Sequence, residues 1–102
     1  MNPPKEFSEV IGRVRYDVQK ATLIASNVYW DGRNMERNCT DTFLYKTKKG
    51  NFFTIFLTQW QGARDILTPV SEDEAIELYE DHLFTREVPY EEAFPNVVVE
   101  DA

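Results

Sequence analysis

A chain of 102 residues has the size of one domain, and 42% hydrophobic residues, with seven Phe, five Tyr and two Trp, allow a core without disulfide or metal staples. One Cys and one His exclude an intrachain disulfide and a Cys/His zinc site, and no apolar run reaches the roughly 18 residues of a membrane span. The net charge of −7 is unevenly spread: residues 1–71 hold ten Lys/Arg and seven Asp/Glu (+3), residues 72–102 one and eleven (−10).

Residues 1–8 carry two prolines and mixed polar side chains, which suits a flexible leader before a single domain over 9–102. The opening Met1-Asn2-Pro3-Pro4-Lys5-Glu6 lacks the basic-then-apolar layout of a signal peptide, so a reducing, cytoplasmic setting is expected. From Val10 to Tyr16 apolar positions alternate with Arg13 and Arg15, the period of a half-exposed strand with both arginines on one face. Asp17 is a good N-cap, and Val18, Ala21, Ile24 and Ala25 have helical spacing, predicting a short helix over 18–26 ended by Asn27. Val28-Tyr29-Trp30 reads as a brief strand, Asp31-Gly32-Arg33-Asn34 as a turn, and 34–41 as a loop.

The strongest local signal is a hairpin, with arms Thr42–Thr47 and Phe52–Thr58 around Lys48-Lys49-Gly50-Asn51. In the second arm Phe53, Ile55 and Leu57 share the expected core face, opposite Phe52, Thr54, Phe56 and Thr58. Gln61-Gly62 marks another turn, after which Arg64–Thr68 returns as a third meander strand that Pro69 should stop. Ser71-Glu72-Asp73-Glu74 is a full capping box, and the stripe Ala75, Ile76, Tyr79, Leu83 predicts a helix over 72–82. Residues 88–95 suit one helical turn between two prolines, and Val97-Val98-Val99 is either a short strand or an anchored tail. The expected fold is α+β: an antiparallel meander of three to four strands with one or two helices packed on one face.

Catalytic chemistry finds little support in this inventory. His82 is the only imidazole, and its place late in an acidic helix reads as an offset to the helix dipole; Cys39 sits in a polar loop as an ordinary thiol. The acids Glu72, Asp73, Glu77, Glu80 and Asp81 wrap a helix as its solvent face, and the four glycines are scattered, so no phosphate-cradling loop exists. The sequence therefore predicts neither an enzyme nor a cofactor.

Three kinds of contact remain. Tyr29, Trp30 and Arg33, with Trp60 and Arg64, fall beside predicted turns and are residue types that anchor protein interfaces; the plainer alternative is that both Trp rings cover the core rim. Arg13, Arg15, Lys46, Lys48 and Lys49, with Tyr45, Phe52 and Phe56 as stacking surfaces, form a candidate nucleic-acid contact. Against it stand the net charge and the simpler roles of these residues as edge protection and core. The acidic face over Glu72–Asp81 is either a solvated helix or a surface for a basic partner, including that of an acidic decoy occupying a nucleic-acid site.

The segments Arg15–Ala25, Thr42–Phe53 and Leu67–Ala75 carry a strand-to-helix start, a "Tyr-Lys-Thr…Gly-Asn-Phe-Phe" hairpin and a "Pro-x-Ser-Glu-x-Glu-Ala" helix start. In these the chain resembles a group of short prokaryotic proteins, often carried on phages and other mobile elements, to which no activity is assigned. The resemblance spans roughly 13–83, brings no site residues, and implies action by binding a host or element-encoded macromolecule. The leading expectation is thus a non-enzymatic protein-interaction module or accessory regulator, with nucleic-acid association as its rival.

Overall fold

Gly50 decides how the central hairpin closes. Its φ of +89° is open to glycine and costly for other residues, and it lets the Gly50 amide donate to the Thr47 carbonyl at 3.0 Å. The chain is described here by a computed structural model covering residues 6–26, 40–58, 66–83 and 85–102. From that turn, β4 (Thr40–Thr47) and β5 (Phe52–Thr58) run antiparallel, with Lys46 opposite Phe52 and Tyr45 opposite Phe53. The predicted hairpin is present, extended by two residues at its start.

On the far side of β5 lies β6 (Ile66–Val70), which continues through Pro69 instead of stopping there. It is an edge strand, where a residue without an N–H is tolerated. The described strands form an antiparallel sheet of order β6-β5-β4-β3-β7, so the fold is α+β with five strands in the main sheet, where three to four were expected.

The extra strands come from two places. The helix expected over 18–26 is one 3-10 turn, Val18–Lys20, capped by Asp17 Oδ1 accepting from the Gln19 amide at 2.9 Å; the chain then straightens into β3 (Ala21–Ser26). A register shift between Leu23 and Ala25 leaves Ile24 as an extra residue, and both Ile24 and Ala25 are fully buried. Two adjacent inward residues mimic a helix face in sequence, and ladder pairing with β4 overrides weak helix propensity. The other addition is β7 (Thr85–Arg86), two residues paired with Ser26 and Ala25 and backed by the amides of Glu87 and Val88 donating to the Ile24 carbonyl at 2.8 and 3.3 Å.

The single strand read from Val10 to Tyr16 is instead two: β1 (Ser8–Ile11) and β2 (Val14–Asp17), folded back at Gly12-Arg13. Both turn residues have positive φ, +59° and +68°, as a tight two-residue hairpin turn requires.

Each face of the sheet has its own cover. The Ser71 capping box is formed in both directions, with Ser71 Oγ accepting from the Glu74 amide at 3.1 Å and Glu74 Oε1 accepting from the Ser71 amide at 3.2 Å. It starts α1 (Glu72–Glu77), which runs on as a π-helical segment, Leu78–His82, so the helix spans the predicted residues. Its stripe Ala75, Tyr79 and Leu83 packs with Phe94, just beyond α2 (Tyr90–Ala93), onto Ile24, Leu44 and Phe52. On the opposite face Phe43, Tyr45, Phe53, Ile55 and Leu67 are buried with Val18, beneath Phe7, Ile11 and Tyr16 of the β1–β2 side. Of the predicted core face of β5, Phe53 and Ile55 are buried and Leu57 is partly buried, but hairpin β1–β2 lies against it, while α1 takes the Phe52 side. Val97-Val98-Val99 forms no strand; Val97 packs on the helical side and Val98 is 86% exposed. Among the described residues no helix is long and apolar enough to cross a membrane.

Candidate functional site

Two turns approach each other on the hairpin side of the sheet. One wall of the resulting cleft, about 380 Å³, is Arg13, Val14, Arg15, Asp17 and Lys20; the other is the β4–β5 turn with Thr47, Lys48, Lys49 and Asn51. Arg13, Arg15, Lys20, Lys48 and Lys49 are all exposed. Among the described residues none of the five is paired with a carboxylate. Among the described residues the only acid lining the cleft is Asp17, which caps the 3-10 turn.

In the second turn the Gly50 amide is bound to the Thr47 carbonyl, and the Asn51 amide donates to Thr47 Oγ1 at 3.0 Å. An anion in the cleft would be held by guanidinium and ammonium groups, the long-range, salt-sensitive kind of recognition.

Four of the five predicted nucleic-acid contacts therefore meet, and Lys46 does not. Its Nζ donates to the Ala93 carbonyl at 2.9 Å and lies 5.7 Å from the Phe52 ring centre, on the helical face. The predicted stacking surfaces are largely spent as core: Tyr45 and Phe52 are buried, and Phe56 is 38% exposed. Burial pushes the Tyr45 hydroxyl up to about 12. Lys20 was missed because its segment was read as one helix; once 21–26 extends, Lys20 ends the 3-10 turn and lines the cleft.

The acidic residues Glu72, Asp73, Glu77, Glu80 and Asp81 are exposed along α1 and its π-helical continuation, and none lines the cleft. A second concavity of about 580 Å³ lies on that side, between Tyr79, Glu80, Arg86, Tyr90 and Glu91 and the exposed Val98 and Val99. Arg86 is tied down there, donating from Nη2 and Nε to the Tyr79 carbonyl at 2.8 and 3.2 Å, with its guanidinium 4.7 Å from the Tyr79 ring centre. Burial, then the charge of Glu80 and a hydrogen bond to it, raise the Tyr90 hydroxyl above its ordinary value.

The predicted protein contacts Tyr29, Trp30, Arg33, Trp60 and Arg64, and Cys39, lie outside the described residues. His82 ends the π-helical segment. Among the described residues no grouping of three His, Cys, Asp or Glu is placed to hold a metal ion. The chain matches no protein-family model, no curated protein and no solved structure.

Proposed function

We propose that this is a non-enzymatic binding protein that takes the phosphates of a nucleic-acid strand in the basic cleft. The observation that carries the reading is convergence. Five exposed cations from two separate segments of the chain surround one concavity, while the eleven acids of residues 72–102 line none of it. Like charges brought together repel, and a bound anion relieves that repulsion, which Asp17 with its single charge offsets only in part. The net charge of −7, which counted against a phosphate partner, loses force once the two signs lie apart.

Fluorescence anisotropy with labelled single-stranded and duplex oligonucleotides over a salt series tests it. If all five cations contact phosphate, log K falls with log salt at a slope near −3.5 for a single strand, from about 0.7 per contact. Absence of binding to either oligonucleotide at low salt overturns the proposal.

A second reading keeps the expected protein partner, and the groove beside Tyr79 favours it. Glu80 and Glu91 flank aromatic and valine surface there, a combination suited to a basic segment of another protein. Calorimetry with an Arg/Lys-rich peptide against the unaltered chain and E80Q/E91Q separates the two readings, since the nucleic-acid site contains neither residue.

A further inference from the structure

We propose that Arg13 is the leading phosphate contact of the basic cleft, held at the tip of hairpin β1–β2 in a backbone conformation that selects against arginine. The inference rests on the cleft reading above and adds which residue dominates it.

Arg13 is the one non-glycine residue with positive φ among the described residues, at +68°. The turn needs that conformation at both central positions, and glycine or asparagine meets it with the least strain; Gly12, at +59°, supplies one of the two. At the other stands a long charged residue whose Cβ crowds its own backbone. Strain of this kind persists where the surroundings stabilise it or where the side chain serves another purpose. Stabilisation from the surroundings is not evident: Arg13 is exposed and has no partner among the described residues. A Cβ built at the neighbouring Gly12 would meet nothing within 4 Å, so this turn stands in open space.

What the position does provide is reach into the cleft. Arg13 lines it together with Lys48 and Lys49. A guanidinium offers a planar fork of donors that matches two phosphate oxygens at once, whereas each lysine opposite is a flexible point charge. Arg15 and Lys20 contribute charge from the same wall, but neither holds a strained backbone to do so.

The test compares R13G, R13K and K48A with the unaltered chain, measuring thermal melting and anisotropy with a labelled single-stranded oligonucleotide. Glycine is at ease at this φ, so R13G should keep its Tm or gain up to about 5 °C. Its affinity should fall about tenfold, more than that of K48A, and its salt slope should shrink by about 0.7. R13K should hold the slope yet bind severalfold more weakly, because charge remains and the fork does not. Binding by R13G within twofold of the unaltered chain overturns the role of Arg13 and leaves the cleft reading standing. A loss in R13G no greater than in K48A does the same, and so does a marked fall in the Tm of R13G, which would make Arg13 structural. If the unaltered chain fails to bind at all, the cleft reading falls and takes this inference with it.

Discussion

Phe94 is where the helical side of the molecule is most concentrated. Its ring is fully buried, stacked on Phe52 at 5.3 Å, edge-on to Tyr79 at 5.5 Å and tilted against Tyr90 at 5.3 Å. It thereby joins β5, the capped helix and α2 in one cluster. Truncating a buried Phe to Ala costs about 3–5 kcal/mol, and each aromatic pair contributes about 0.5–1.5 kcal/mol beyond area burial. A domain of this length has a total stability of about 5–15 kcal/mol, so F94A should remove a fifth or more of it. In a urea titration followed by tryptophan fluorescence and far-ultraviolet circular dichroism, the midpoint should drop by about 2 M, given a slope of about 1–3 kcal/mol per M. F94L should cost less, about 1–2 kcal/mol, isolating the aromatic part. V98A, at a residue 86% exposed, serves as a control expected within about 0.5 kcal/mol. A loss below about 1 kcal/mol for F94A at unchanged slope would refute the idea that α1 and α2 are clamped to the sheet through this ring.

Three further outcomes follow from the same geometry. S71A removes one half of the reciprocal cap and should cost about 1 kcal/mol by chemical denaturation; no change would mean the helix start is held by packing alone. Tyr45, whose hydroxyl is raised by burial from 10.0 to about 12, stays neutral in the folded chain over a pH range where the unfolded chain ionises. Stability should therefore be full below pH 10 and decline by about 2–3 kcal/mol as the pH rises to 12, and Y45F, melted in urea across that window, should show a shallower decline. K46M should lower stability by about 1–2 kcal/mol through the lost bond to the Ala93 carbonyl, yet leave oligonucleotide affinity unchanged; a drop like that of K48A would put Lys46 in the cleft.

The sequence showed most where local signals and tertiary packing agree. The β4–β5 hairpin, with its Gly50 turn, and the Ser71 helix carry their own start and stop chemistry, and both appear where expected. Misreadings cluster where a local pattern had two solutions. Ile24 and Ala25 point inward together because of a bulge, which periodicity cannot distinguish from a helix face. Gly12 inside an alternating run was read as a strand position, although an isolated glycine there also marks a turn. That one turn matters for the proposed cleft, since it places Arg13 in the same concavity as Lys48. Four of the five basic residues were legible as a group; their convergence was not, because it depends on the hairpin folding over the Phe53 face. β7 was invisible because two residues hold no pattern, and their pairing follows from the helix ending near β3.

Net charge governs encounters at long range, whereas a bound phosphate responds mainly to charges within a Debye length, about 8 Å at physiological salt. Layers in such folds stack about 10 Å apart, so the acids of α1 and α2 act on an anion in the cleft through at least one intervening layer. Their effect is directional. A polyanion approaching the helical side is repelled, one approaching the hairpin side meets Arg13, Arg15, Lys20, Lys48 and Lys49, and the acidic third thus orients the contact instead of forbidding it. It also bounds the contact. Lys46 is committed to the Ala93 carbonyl and the Phe52 ring on the helical face, where Glu72, Asp73, Glu77, Glu80 and Asp81 are exposed. On the proposed reading, a strand bound in the cleft meets five cations there, and one extending from it toward the helices meets the acids of α1.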